Sequence, residues 1–186
     1  MTAIFAVHKF KNHRMAHYLK FLLFSFLFLL SSCIKEEVSG GHSYALAEGD
    51  RLPPFSLTNE KETVHSARLQ KQIALLIFFN TTCSDCKQAF PAIYSLYKRY
   101  EKEEAVAVVL IARDQSDTEV KEFFTEQHYE MDFFTDPDRK VYALFASETI
   151  PRLFLTEKGG KIVTVQAEAI DADVITRKID ILLNRE

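Results

Sequence analysis

The strongest constraint on the fold is an apolar run that leads almost directly into a pair of cysteines. Residues 73–80 (IALLIFFN) are apolar up to the final asparagine, which is typical of a central strand buried on both faces of a sheet. Cys83-Ser84-Asp85-Cys86 follows, and after it come large apolar side chains at helical spacing. The pattern predicts a buried strand, a short loop and a helix that begins at the cysteines.

The rest of the body alternates between strand and helix patterns. Further strands are predicted at 105–112, 132–135, 152–156 and 161–166, and further helices at 117–128, 137–145 and 170–183. Residues 49–65 place two prolines before a short alternating run and predict an edge hairpin. Strands and helices that alternate in this way indicate one α/β domain, which we assign to residues 49–186.

Charge is distributed unevenly along the chain. The first 35 residues hold five basic side chains and no acidic one, whereas residues from Cys33 onward hold 19 basic and 26 acidic side chains. The body therefore has a net charge of −7 and no basic run. Binding to a nucleic-acid backbone, which requires clustered Lys and Arg, is not expected.

The N-terminal segment has the order of a secretory signal. A basic stretch precedes the apolar residues 21–30, and Ser31, Ser32 and Cys33 follow. The apolar stretch is shorter than the roughly 20 residues that a membrane-spanning helix needs. Leu30-Ser31-Ser32-Cys33 resembles the lipobox of bacterial lipoproteins, which implies a signal peptide at 1–32 and a lipid on Cys33. The alternative is a plain cleaved signal, or an uncleaved anchor, in which Cys33 is incidental.

Between this signal and the body, residues 33–48 include two glycines and little apolar content. They are interpreted as a lipidated tether. Export would place Cys83 and Cys86 in a compartment where thiol and disulfide chemistry is usual.

The two cysteines of the body suit disulfide exchange. At the start of a helix, the first sulfur is stabilised as a thiolate by unpaired backbone N–H groups and the helix dipole. The second sulfur, one turn later, can displace a bound substrate. We therefore predict Cys83 as the nucleophile and Cys86 as the resolving thiol, with no cofactor beyond their redox-active disulfide. A zinc half-site or an inert pair remains an alternative, although a zinc site would need further ligands, and no metal is predicted.

Several motifs together resemble a known family. They are the opening 53–58 segment, the redox motif at 78–87, Pro91 inside the helix, the segment 117–135, Ile150-Pro151 with the strand after it, and Gly159-Gly160-Lys161. In this order they resemble thioredoxin-fold proteins, specifically the membrane-anchored TlpA-like thiol-disulfide oxidoreductases. The resemblance implies a thioredoxin-like α/β fold, with a mixed central sheet flanked by helices, an N-terminal β-hairpin and an αβ insertion before a cis-proline loop.

The resemblance also implies roles and partners. Pro151 would be cis and lie against the cysteines, and the backbone of Ile150 would bind an extended substrate segment. Substrates would be oxidised exported proteins, electrons would come from a membrane thiol donor, and the lipid-anchored protein would face the periplasm.

The chain departs from this family at three positions near the cysteines. Thr82 stands where an aromatic residue usually precedes the first cysteine, Ile77 stands where a buried acid is expected, and Ala89 replaces a glutamate. Asp85 is the remaining nearby carboxylate, and its charge opposes a thiolate at Cys83. With Thr82 and Asp85 as modulating residues, we expect a reducing couple and hence a reductase.

Two other functions remain open. A peroxiredoxin-like thiol peroxidase shares the fold, but the positions that its Pro-x-x-x-Thr-x-x-Cys motif requires are Leu76 and Asn80 here. A non-catalytic binding module that holds a partner near Pro151 is the third possibility, because the aromatic residue and the acids are missing.

Overall fold

The computed structural model describes residues 44–184. The predicted signal peptide at 1–32 and the predicted lipidation site at Cys33 lie outside these residues. Within the described part, no helix is long and apolar enough to cross a membrane.

The centre of the fold is a mixed five-stranded sheet. Its strands are β3 (Ile73–Phe79), β4 (Val106–Arg113), β5 (Phe134–Asp136), β6 (Arg152–Thr156) and β7 (Ile162–Ala167), in the order β5-β4-β3-β6-β7. β3 is parallel to β4 and antiparallel to β6, while β4 and β5 are parallel and β6 and β7 antiparallel. Every residue of β3 is buried, so the prediction of a central strand covered on both faces is confirmed.

Helices connect and flank these strands. They are α1 (Ser66–Leu69), α2 (Ser84–Tyr100), α3 (Asp117–Glu126) and α4 (Ala172–Leu183), with a 3-10 turn at Tyr142–Leu144. α2 contains Pro91 and contacts α4. α3 and α4 begin at side-chain N-caps. Ser116 and Asp171 each accept a hydrogen bond from a backbone N–H group in the first turn of the helix.

Two aromatic clusters lie on opposite sides of β3. Consecutive strand residues point to opposite faces, so Phe78 and Phe79 face different partners. The Phe78 cluster consists of Phe78, Tyr142, Phe145 and Phe154, with Phe78 ring centroids 5.0 Å from Tyr142 and 4.9 Å from Phe145. The Phe79 cluster consists of Phe79, Phe90, Phe124 and Tyr129, with Phe79 and Phe90 centroids 5.3 Å apart. This double packing explains why a strand without polar positions is required here.

The predicted N-terminal hairpin is present, but it is not an edge of the central sheet. β1 (Ser56–Thr58) and β2 (Thr63–His65) form a separate two-stranded antiparallel sheet. Only the middle residue of each strand is buried, Leu57 in β1 and Val64 in β2. The hairpin therefore covers the core with these two side chains and does not extend the hydrogen-bond ladder of the sheet.

The prediction of a helix over 137–145 is wrong. The chain forms turns there, followed by the single 3-10 turn. The buried carboxylate of Asp136 accepts the backbone N–H groups of Val141 at 3.1 Å and Tyr142 at 2.7 Å. Arg139 has a left-handed backbone, with φ of 59°, which an α-helix cannot contain. These two features override the helical spacing of the apolar residues.

The described end of the 33–48 segment is paired with the domain. Leu46 N–H donates to Phe145 O at 2.7 Å, Ser147 N–H donates to Tyr44 O at 2.8 Å, and Ala45 forms an antiparallel bridge with Ala146. The chain thus enters the fold beside the segment that leads to Pro151.

Candidate active site

Cys83 lies in the short loop between β3 and α2, directly before the first residue of the helix. It is the N-cap of the helix, with an extended backbone (φ −73°, ψ 128°), and Lys87 N–H donates to its carbonyl at 3.0 Å. The side chain is half-buried and is a free thiol. Unpaired N–H groups at this end of a helix favour negative charge, so the position suits a thiolate nucleophile, as the strand, loop and helix pattern predicted.

The cis-proline loop lies against this sulfur. The Ile150–Pro151 peptide bond is cis, which confirms the conformation that the family resemblance implied. Cys83 Sγ donates to Ile150 O at 3.7 Å. The fold therefore brings the predicted nucleophile and the predicted substrate-binding residues together, although they are 67 positions apart in the chain.

Cys86 is fully buried one turn further along α2. The pKa of its thiol is raised to about 12, chiefly because a buried thiolate loses solvation, and the neighbouring Cys83 acts in the same direction. Asn80 N–H donates to the sulfur at 3.4 Å and, together with the charge of Arg113, acts in the opposite direction on the pKa. Cys86 is thus a buried thiol that stays protonated at neutral pH.

Asn80 organises the loop before the cysteines. Its Oδ1 accepts the backbone N–H of Thr82 at 2.8 Å and the Thr82 hydroxyl at 2.7 Å, and its Nδ2 donates to Arg113 O at 2.9 Å. Thr82 itself is exposed, so its short side chain leaves the sulfur of Cys83 without an aromatic cover. The predicted modulating position is therefore a hydrogen-bonded turn residue.

A second side chain, that of Gln115, holds the same loop in place, and the sequence did not predict this role. Thr81 N–H donates to Gln115 Oε1 at 2.7 Å, and Gln115 Nε2 donates to Thr81 Oγ1 at 2.6 Å. Both residues are buried. The sequence feature that could have indicated this role is a polar residue just after a predicted strand. Such a residue lies at the carboxyl edge of the sheet, where the loops from parallel strands meet.

Asp85, the other predicted modulating residue, lies in the exposed first turn of α2, where Ser84 Oγ donates to its Oδ1 at 3.3 Å. The family positions that would carry acids are filled by Ile77 and Ala89, both buried apolar residues. Among the described groups that act on the Cys86 thiol, Arg113 is the cation, and its charge lowers the pKa of that thiol.

Tyr142 holds the loop that precedes Pro151 and was also missed by sequence reasoning. Its hydroxyl donates to Thr149 O at 2.6 Å and also to Glu148 O, and Arg152 Nε donates to Thr149 O at 3.3 Å. Thr149 has a left-handed backbone, with φ of 62°. Burial raises the pKa of Tyr142, while the guanidinium groups of Arg152 and Arg113 lower it. The phenol thus stays protonated at neutral pH and acts as a donor.

Other candidate sites lie elsewhere or are not found in the described residues. Residues 44–184 contain no group of three or more His, Cys, Asp or Glu side chains able to hold a metal ion. A groove runs between the hairpin loop and α3, and its lining residues include neither cysteine. The arrangement around Cys83 is therefore the candidate active site.

Comparisons with known proteins identify the family and the fold of the chain. The sequence model of the AhpC/TSA family matches residues 49–165. Two curated relatives are thiol-disulfide oxidoreductases named ResA. The protein from Bacillus thuringiensis (strain Al Hakam) is 28% identical over 116 residues, which cover 62% of this chain and 66% of that one. The protein from Bacillus subtilis (strain 168) is 29% identical over 123 residues, which cover 65% and 68%. The chain thus spans 66% of the length of the first relative.

A solved structure shows the same fold. A putative protein disulfide isomerase from Bacteroides thetaiotaomicron superposes with a TM-score of 0.69 at 22% identity, covering 76% of this chain and 93% of that one. Together with the family match, this likeness shows that the fold is thioredoxin-like, as the sequence motifs implied.

Proposed function

The chain belongs to the AhpC/TSA family of thioredoxin-fold proteins, and we propose that it is an exported thiol-disulfide oxidoreductase that reacts through Cys83 and Cys86. The observation that carries this proposal is the contact of Cys83 Sγ with Ile150 O, 3.7 Å away and next to a cis proline. The sulfur is half-buried at the N-terminus of α2, so a substrate disulfide can reach it. The names of the ResA relatives support the same chemistry.

The reaction proceeds in two exchanges. The Cys83 thiolate attacks one sulfur of a substrate disulfide, so a mixed disulfide forms and the other substrate sulfur leaves with the electron pair and takes up a proton. Cys86 then loses its proton to solvent and attacks Cys83 Sγ, which breaks the mixed disulfide and releases the second substrate thiol. Two electrons pass from the protein to the substrate, and a Cys83–Cys86 disulfide remains.

The loop around Pro151 selects the substrate. The carbonyl of Ile150 faces the nucleophile, so an extended substrate segment that pairs with the Ile150 backbone would place its disulfide at Cys83. Hydrogen bonds between backbones do not depend on the side chains of the substrate, so segments of many sequences can bind. We infer that the substrates are oxidised exported proteins.

The cellular setting of the proposal comes from the N-terminal segment. The basic, apolar and small residues that end at Cys33 support export and a lipid anchor, with the domain facing the periplasm. Regeneration of the two thiols requires two electrons for each turnover. Following the family resemblance, we propose a membrane thiol donor as their source.

Trapping tests the proposal directly. Cys86→Ser should accumulate mixed disulfides between Cys83 and exported proteins in whole cells, because the resolving thiol is gone. These adducts should disappear in the Cys83→Ser, Cys86→Ser double variant. In parallel, the wild-type protein should accelerate the reduction of insulin by dithiothreitol, and Cys83→Ser should not. A wild-type rate equal to background would support the non-catalytic binding module.

The peroxidase alternative draws support from the AhpC/TSA match. Against it, the positions of the peroxidatic motif hold Leu76, which is buried in β3, and Asn80, whose side chain is bonded to Thr82 and Arg113. Consumption of hydrogen peroxide by Cys86→Ser should therefore stay at the level of Cys83→Ser. Rapid consumption that depends on Cys83 would favour the peroxidase.

A further inference from the structure

Asn80 is hydrogen-bonded to both cysteines of the redox motif through its own backbone. Its N–H donates to Cys86 Sγ at 3.4 Å, and its carbonyl accepts the N–H of Cys83 at 3.3 Å. The residue is half-buried and directly follows Phe79, the last residue of β3. The peptide group at the end of the central strand therefore contacts the resolving sulfur directly.

The side chain of Asn80 fixes the direction of this N–H group. Oδ1 accepts the N–H and the hydroxyl of Thr82, two residues later, in a turn that Asn readily forms. Nδ2 donates to Arg113 O on the neighbouring strand β4. Every hydrogen-bonding group of Asn80 thus has a partner, and the peptide beside Cys86 is held on two sides.

The next residue of the loop is held separately. Thr81 and Gln115 are both buried and are joined by two hydrogen bonds, one through the Thr81 N–H and one through its hydroxyl. Because these bonds do not involve Asn80, the loop keeps an anchor when the Asn80 side chain is shortened. Substitution of Asn80 is therefore expected to loosen one peptide group without unfolding the site.

Cys86 needs such a donor because it must ionise inside the protein. The sulfur is fully buried, and Ile77 and Ala89 occupy the positions where the family resemblance implied acids. A buried thiolate has lost its water, and a hydrogen bond to an ionised acceptor is stronger than one to a neutral acceptor. The bond from Asn80 N–H lowers the pKa of Cys86 and offsets part of the effect of burial.

We propose that Asn80 is a positioning residue for the resolving step, whose side chain holds the N–H group that stabilises the Cys86 thiolate as it attacks Cys83. The proton of Cys86 goes to solvent, and Cys86 Sγ forms a bond with Cys83 Sγ. The bond between Cys83 and the substrate breaks, and the electron pair leaves on the substrate sulfur. Asn80 keeps its own protons throughout. The inference deepens the oxidoreductase function proposed above and rests on it.

The charged groups near Cys86 are the same in every variant that the test requires. Within residues 44–184, Cys83 raises the pKa of Cys86 and the charge of Arg113 lowers it. The charged neighbours of Cys86 on α2, Asp85 and Lys87, are exposed. A change in the pH dependence of the resolving step on substitution of residue 80 therefore reports the loss of the fixed N–H donor.

Reaction with an excess of dithiobis(nitrobenzoic acid) separates the two exchanges. The reduced full chain is used in detergent with Cys33→Ser, which leaves Cys83 and Cys86 as its thiols. Attack by Cys83 releases one thionitrobenzoate at a rate proportional to the concentration of the reagent. Attack by Cys86 on the resulting mixed disulfide releases the second, at a rate that does not depend on that concentration.

Asn80→Ala should leave the first phase unchanged, slow the second phase and move its pH midpoint upward. A rise of about one unit in the Cys86 pKa lowers the thiolate fraction about tenfold and raises its nucleophilicity about threefold, so the second phase slows about threefold at neutral pH. Asn80→Ser keeps an oxygen that can accept the Thr82 N–H and should recover part of the rate.

Asn59, in the hairpin between β1 and β2, provides a matched control. Its Oδ1 accepts the N–H groups of Lys61 and Glu62, both at 2.9 Å, and its Nδ2 donates to Phe133 O at 3.0 Å. Asn59→Ala therefore removes the same kinds of hydrogen bond from a turn that does not contact the cysteines. It should change neither phase.

The outcomes distinguish this inference from the function on which it rests. If the parent protein releases two equivalents and Asn80→Ala matches its second phase in rate and pH midpoint, the role of Asn80 is wrong while the oxidoreductase function stands. Equal slowing of both phases, or slowing in Asn59→Ala, would also overturn it, because either result indicates a general structural effect.

Two further outcomes are decisive. If Asn80→Ala does not fold, Asn80→Ser replaces it and should show a smaller slowing of the second phase alone. Failure of both variants to fold would overturn the inference, because Asn80 would then serve the stability of the domain. Release of a single equivalent by the parent protein would overturn both proposals.

Discussion

The two aromatic clusters that flank β3 are similar in size and differ in polar content. The Phe79 cluster packs ring against ring, and its one hydroxyl belongs to the half-buried Tyr129. The Phe78 cluster includes the buried phenol of Tyr142, which donates to the loop before Pro151 and carries the guanidinium of Arg113 on its ring. The comparison indicates that one side of the strand mainly stabilises the domain, while the other also holds the loop before the cis proline.

The largest expected effect comes from the Phe79 cluster. Phe124→Ala removes a nearly buried ring that packs against Phe79 and Phe90, and it should lower the free energy of unfolding by about 3–5 kcal/mol. Urea denaturation measures this loss. The insulin-reduction rate per folded molecule should stay at the wild-type value, and a large fall in that rate would contradict the division between the clusters.

Cys86 lies on α2 four residues before Phe90 of the Phe79 cluster, and its ionisation should affect the free energy of unfolding. The unfolded thiol ionises near its ordinary value of 9.0, whereas the folded thiol keeps its proton up to a pKa of about 12. The stabilisation is therefore complete below pH 9 and is lost as the pH rises from 9 to 12, by at most about 1.4 kcal/mol per pH unit. Urea denaturation of the reduced protein across this range measures the loss.

Two variants serve as the comparison for this pH dependence. Cys86→Ala should not show the loss of stability that Cys86 ionisation causes between pH 9 and 12, and Cys83→Ser should still show it. Curves for the wild type and Cys86→Ala that run parallel from pH 9 to 12 would show that the folded protein does not hold Cys86 as a thiol.

Tyr142→Phe removes only the hydroxyl oxygen of the Phe78 cluster and tests whether that group holds the loop before Pro151. Thr149 O and Glu148 O lose their phenolic donor, and stability should fall by about 1–3 kcal/mol. Insulin reduction should slow as well, because the loop before Pro151 is less firmly held. Tyr129→Phe, the matched change in the Phe79 cluster, should leave the rate unchanged, and equal rate losses in both variants would remove the distinction between the clusters.

The smallest expected effect is on the redox potential. We expect a value nearer to the roughly −270 mV of thioredoxin than to the roughly −120 mV of a strong oxidant. Asp85→Asn should raise the potential by at most about 20 mV, since an exposed charge contributes about 1 kcal/mol or less. Equilibration with glutathione buffers gives both values, and a wild-type potential above about −180 mV, that of disulfide isomerase, would exclude a reductase.

The parts of this structure that the sequence predicted are those governed by local patterns. The buried strand at 73–79 follows from its continuous apolar side chains, and the start of α2 at the cysteines follows from the change to helical spacing. The cis bond before Pro151 was implied by family resemblance and not by spacing. The roles of Ile150, Pro151, Thr82 and Asp85 in the reaction remain predictions.

The parts that were missed depend on contacts between distant residues. The segment 137–145 has the spacing of a helix, but the Asp136 carboxylate and the left-handed Arg139 give it another conformation. Arg113 ends β4 and Gln115 lies two residues later in an ordinary polar stretch, and their hydrogen bonds to the 80–81 loop form only when β4 lies beside β3. Local propensity contains no information about such pairings.

The pairing of Tyr44 to Leu46 with residues 145–147 has a practical consequence for shortening the chain. A version that starts at residue 49, the predicted domain border, would leave Phe145 O and Ser147 N–H without their present partners. An open stretch of backbone like this accepts a strand from a neighbouring molecule, and it would lie a few residues from Pro151. Truncated versions for solution work should therefore begin before Tyr44, so that the protein keeps its own cover over that edge.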